Sequence, residues 1–109
     1  MESLKLIYKI LSMLEGAMGC DGFDHEAISA NKLGVSEGLW KSCMEMLIEE
    51  GYVKGAFVER TLGNTYIEYD NVRISLAGLE YLKSNSTMQK IKNMLGGVTT
   101  VVGTVSGLK

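Results

Sequence analysis

Apolar side chains recur at helical spacing from the start of the chain. Leu4, Ile7, Tyr8, Ile10, Leu11 and Leu14 stand three and four residues apart, with Lys5, Lys9, Ser12 and Glu15 largely between them. Those offsets gather on one face of an α-helix. The pattern therefore predicts an amphipathic helix over about 3–15, capped by Ser3 and ended by Gly16 and Gly19. GCDGFDH reads as a loop. Asp24 then caps a short helix through Glu26, Ala27 and Ile28, because its carboxylate accepts from free amides of the first turn. A turn follows in NKLGVS, around Gly34. Ser36 opens a third helix in which Trp40, Cys43, Met44, Leu47 and Ile48 share a face, and Gly51 sits where a C-terminal cap belongs.

After Gly51 the period changes. Tyr52–Glu59 and Thr65–Asp70 read as strands, with RTLGN between them as a hairpin tip built on Gly63 and Asn64. Val72–Ile74 either continues the second strand past a bend or forms a short strand of its own. Ser75 caps a fourth helix carrying Leu76, Leu79, Tyr81 and Leu82. Beyond the polar break SNST, Met88, Ile91, Met94 and Leu95 mark a short amphipathic helix over 87–95. The order is helix, helix, turn, helix, hairpin, helix. Three short helices do not close a core alone, and a hairpin laid against them does. The expected class is α+β: a winged helix-turn-helix over 1–83, made of a three-helix core and a β-hairpin wing, followed by a C-terminal helix and tail over 84–109. Without proline in the chain, capping residues, glycine or tertiary contacts must set every helix end.

Composition narrows the function. The 109 residues fit one domain, and 46% apolar residues supply a core. The formal net charge of −2 argues against a strongly basic nucleic-acid binder. Residues 1–83 carry eight Lys or Arg and 13 Asp or Glu, whereas 84–109 carry three Lys and no acid. Cys20 and Cys43 can form at most one bridge and, with the single His25, do not complete a zinc site. The expectation is an exposed Cys20 and a buried Cys43 in a reduced, cytoplasmic protein. The N-terminal run lacks the layout of a secretory signal. Met94–Leu108 is apolar but short and interrupted by four glycines, so a membrane span is not expected. No phosphate loop, dinucleotide fingerprint or metal motif is present. His25 stands without a partner Ser, Cys or Asp constellation. No enzymatic activity, cofactor or small-molecule ligand is therefore expected.

Three segments carry a family resemblance: LIYKILSMLE, FDHEAISANKLGVSEGLWKSCMEMLIEEGYVKG and VRISLAGLEYLKSNSTMQKI. Together they resemble the YjcQ-like proteins over about residues 4–95. The most specific pieces are the Trp40 position, MLIEEGYV and GLEYLKSNS. The resemblance implies a small winged helix of Firmicute bacteria, their prophages and mobile elements. It implies no catalytic residue, because no biochemical activity is established for that family.

The fold admits two functional classes. In a DNA-binding regulator of prophage type, the third helix enters the major groove and presents Ser36, Glu37, Lys41, Ser42 and Glu45, while the wing adds Arg60 and Asn64. Against this, Ser36–Glu50 holds one Lys and four Glu, and DNA affinity rests on phosphate neutralisation. The alternative is a protein-interaction or structural module without DNA binding, its acidic helix facing solvent or a protein partner. Trp40 shares the stripe of Met44 and Leu47, so it is expected in the core, against Leu11, Leu47 and the last helix. One of Tyr66 and Tyr69 is expected to be exposed, since they face opposite sides of a strand. Met88, Ile91, Met94 and Leu95 are expected to form a homodimer interface, extended by Val98, Val101, Val102 and Val105. The competing reading folds that strip back onto its own chain as a monomer.

Overall fold

A computed structural model describes residues 2–20 and 23–95. The valine-bearing segment 96–109 lies outside the described residues. The elements in chain order are α1 (Glu2–Gly16), a 3₁₀ turn (His25–Ile28), α2 (Ala30–Leu33), α3 (Glu37–Glu49), β1 (Val53–Thr61), β2 (Asn64–Ile74), α4 (Leu76–Ser84) and α5 (Ser86–Leu95). The class is α+β, and the arrangement is a winged helix.

The first helix is the centre of the core. Leu6, Ile7, Tyr8, Ile10, Leu11 and Leu14 are all buried, and α1 packs against α3, α4, α5 and β2. Each such side chain contributes about 1.5–3 kcal/mol relative to exposure. The expected second helix is two pieces. Asp24 caps the 3₁₀ turn by accepting from the Glu26 amide (3.0 Å), and Ser29 starts α2 anew by accepting from the Lys32 amide (3.2 Å). Ser36 caps α3 through the Leu39 amide (3.2 Å). Trp40, Cys43, Met44 and Leu47 form its buried stripe. The indole Nε1 of Trp40 donates to the Ile28 carbonyl (2.7 Å), which ties the 3₁₀ turn to α3. The Cys43 thiol lies inside this stripe, and burial raises its pKa above the ordinary value.

The wing is a two-stranded antiparallel hairpin, paired from Thr61↔Asn64 to Ala56↔Tyr69 and again at Lys54↔Arg73 and Val53↔Ile74. Its turn is the pair Leu62–Gly63, both at positive φ (51° and 80°), the twist that matches two-residue hairpin loops. The tip is thus shorter than RTLGN: Arg60 lies within β1 and Asn64 opens β2. Val72–Ile74 continues β2. The break in alternation arises where Asp70, Asn71 and Val72 pass opposite Gly55, with Asn71 and Gly55 both at positive φ. A Cβ on Gly55 would lie 2.3 Å from the Asn71 carbonyl oxygen, so only glycine fits.

The segment ISLAGLEYL closes the domain at one point. The Ser75 amide donates to the Tyr52 carbonyl (3.0 Å). The Ser75 hydroxyl donates to the Gly51 carbonyl and accepts from the Gly78 amide (3.0 Å). One serine thereby joins the end of α3, the entry to β1 and the first turn of α4. Lys83 pairs with Glu15 (2.8 Å) and ties α4 to α1. At the break before α5, Asn85 Oδ1 accepts from the Met88 amide (3.1 Å) and the Gln89 side chain donates to the Leu82 carbonyl (2.9 Å). Met88 and Ile91 are fully buried in the same cluster as α1. The packed body thus runs past Lys83 and through α5. Those two side chains are spent inside the protomer and are not on a free strip, while Leu95 is half-buried and Met94 is 54% exposed.

Candidate functional site

The outer face of α3 and the wing carry every residue expected to read DNA. Ser36 and Asn64 are exposed, the first with its hydroxyl used as a cap. Glu37 and Ser42 are exposed on α3. Lys41, Glu45 and Arg60 are brought together with the wing, but they face their own chain. Arg60 forms an ion pair with Glu45. The Lys41 ammonium lies 5.7 Å from the centroid of the Tyr66 ring, within the range where a ring face attracts a cation. Both cations of the expected DNA-contacting set are therefore engaged by α3–wing contacts. The stretch from α3 through the wing does not compensate, since residues 36–74 hold four Lys or Arg and seven Asp or Glu.

Between α3, the 3₁₀ turn and β2 lies a cleft of about 480 Å³. Tyr66 and Tyr69 of β2 and Trp40 of α3 supply its aromatic lining, and the exposed Glu26, Glu37 and Glu68 its acidic groups. The His25 ring stacks on Tyr69, with centroids 4.3 Å apart and planes 16° from parallel. This contact anchors the wing to the 3₁₀ turn. The Tyr69 phenol is pushed up to about 12, chiefly by burial and then by the Glu26 and Glu37 carboxylates. Both carboxylates therefore act electrostatically on the same ring. On sequence alone His25 reads as an isolated surface residue and the two tyrosines as strand positions. The signal that they meet lies in the hairpin folding over α3, which spacing along the chain does not encode.

A second concavity, of about 460 Å³, runs along the exposed side of α1 past Met13, Ala17 and Cys20 to Phe23 and Leu33 and is lined mainly by apolar atoms. Among the described residues no group of three or more His, Cys, Asp and Glu side chains is placed to hold a metal ion. No described helix is long and apolar enough to cross a membrane.

The helix-turn-helix frame, the hairpin wing and the Ser75–Gly78 closure define a winged-helix protein. The chain matches the family described as YjcQ protein over residues 8–99, and it belongs to that family. No curated protein and no solved structure matches it.

Proposed function

We propose that this chain is a winged-helix interaction module whose α3–wing face meets another protein rather than duplex DNA. The observation that carries this reading is the placement of Lys41 and Arg60 against Tyr66 and Glu45. Each contact is weak in itself, worth up to about 1 kcal/mol at an exposed site, and phosphate would compete for both. The charge balance around them supports the same reading. Seven acids against four bases repel a phosphate backbone whose neutralisation supplies most DNA affinity. An acidic face with exposed Phe57 and Tyr66 suits a basic protein surface, where complementary charge steers encounter and aromatic rings bury area.

The helix-turn-helix frame favours a second reading, a sequence-specific DNA complex in which two copies place their α3 helices about 34 Å apart. Fluorescence anisotropy with labelled mixed-sequence duplex, run on the wild type and on Glu45→Lys, separates the two. The substitution removes a negative charge, adds a positive one and releases Arg60. The interaction-module reading expects saturable duplex binding by the variant only. Equal binding by both proteins overturns it.

A further inference from the structure

We infer that the cleft between α3 and β2 receives an arginine or lysine side chain from a basic segment of a partner protein. This inference rests on the interaction-module reading and names the chemistry of its contact point. Four observations converge on one class of occupant. The lining is aromatic, with Tyr66, Tyr69 and Trp40; His25 covers one face of Tyr69, which leaves the Tyr66 face as the principal cation acceptor, and π faces attract cations, guanidinium above all. The rim is anionic: Glu26 and Glu37 both act on Tyr69, and neither makes an ion pair among the described residues. The volume of about 480 Å³ exceeds what one long side chain needs, which leaves room for the flanking backbone.

The fourth observation is that the chain already places a cation there. The Lys41 ammonium lies over Tyr66 at 5.7 Å, and Lys41 lines the same cleft. An incoming basic side chain would compete with it for the ring face. Lys41 thus acts as an internal competitor, and its removal should strengthen binding. That sign is opposite to the one a DNA site gives, where loss of a lysine weakens binding. It differs as well from a merely structural role for Lys41, which leaves peptide affinity unchanged.

The test uses the full chain and a fluorescein-labelled peptide of alternating glycine and arginine, titrated by anisotropy at physiological salt. A lysine version serves as a second probe and a glutamate version as the control. Saturable binding of both basic peptides is expected, with the glutamate peptide inert. Glu26→Gln with Glu37→Gln should weaken binding about tenfold. Lys41→Ala should tighten it about threefold. Glu49→Gln with Glu50→Gln removes as much negative charge from exposed positions at the far end of α3, and should change affinity by less than about twofold. All these positions are exposed or half-exposed, and a circular dichroism spectrum matching the wild type shows that each variant is folded. Equal losses from the two Gln pairs would reduce the effect to diffuse charge and overturn the cleft. Unchanged or weaker binding by Lys41→Ala, or no peptide binding at all, would overturn it as well. The parent reading fails by a different result, equal binding of mixed-sequence duplex by the wild type and Glu45→Lys, so the two failures are distinct.

Discussion

Gly78→Ala should destabilise this protein, although the same change in most helices does the reverse. Gly78 sits in the first turn of α4 and is buried. On helix propensity alone, alanine gains about 0.8–1 kcal/mol over glycine. At this position a Cβ would lie 2.3 Å from the Tyr52 carbonyl oxygen and 2.8 Å from Ile74 Cγ1. The nearest atom is backbone and cannot rotate aside. The Tyr52 carbonyl also accepts from the Ser75 amide at 3.0 Å, so pulling the helix away lengthens the bond that sets α4 on the entry to β1. Overpacking of this kind costs about 1–3 kcal/mol, and more where backbone must move. The net expectation is a loss of about 1–2 kcal/mol. Gly38 provides the matched control. It is helical and exposed, and a Cβ there would meet nothing within 4 Å, so Gly38→Ala should stabilise by about 0.5–1 kcal/mol. Urea unfolding followed by Trp40 fluorescence and far-ultraviolet circular dichroism measures both. A Gly78→Ala protein as stable as Gly38→Ala would refute the close approach of α4 to the Tyr52 carbonyl at the entry to β1.

Three further outcomes follow from the packing. Trp40 is 6% exposed and satisfies the buried Ile28 carbonyl; Trp40→Phe should cost about 1–3 kcal/mol from the orphaned acceptor and Trp40→Ala about 3–5 kcal/mol, read by circular dichroism because the fluorophore is gone. Met88→Ala and Ile91→Ala should each cost about 2–5 kcal/mol at every protein concentration, whereas a stability loss that appears only at high concentration would place these side chains in an interface between copies. Tyr69 keeps its proton up to about 12 when folded, above its unfolded value near 10. The stability this contributes is present below pH 10 and is lost as pH rises through 12, so Tyr69→Phe should flatten the urea midpoint across that window; an unchanged slope would contradict the ring's burial.

Local chemistry was legible wherever the responsible atoms lie within a few residues. The capping hydroxyls of Ser36 and Ser75 and the carboxylate of Asp24 act on amides two or three positions ahead, so those helix starts could be read from residue type and order. The Trp40 stripe was legible for the same reason, as a face of one helix. What was hidden depends on distant partners. Amphipathicity in Met88, Ile91, Met94 and Leu95 says that a face seeks cover, and α1 of the same chain provides it for the first two. Ser29 divides the second helix because it competes for the Lys32 amide, an outcome that residue type alone leaves open. The kink in β2 requires Gly55 and Asn71 to meet across the hairpin. The cleft depends on His25 stacking on Tyr69 and on Glu26 and Glu37 converging on the same ring. None of these pairings has a periodic signature.

The most direct measurement of the central claim is the affinity of the unmodified chain for mixed-sequence duplex DNA, taken by anisotropy at two salt concentrations. An acidic α3–wing face predicts no submicromolar binding at about 0.15 M salt, with any residual signal no tighter than the micromolar-to-millimolar range of nonspecific contacts. Submicromolar binding that falls steeply as salt is raised would mean that this surface neutralises phosphate after all, and would contradict the assignment of the face to a protein partner.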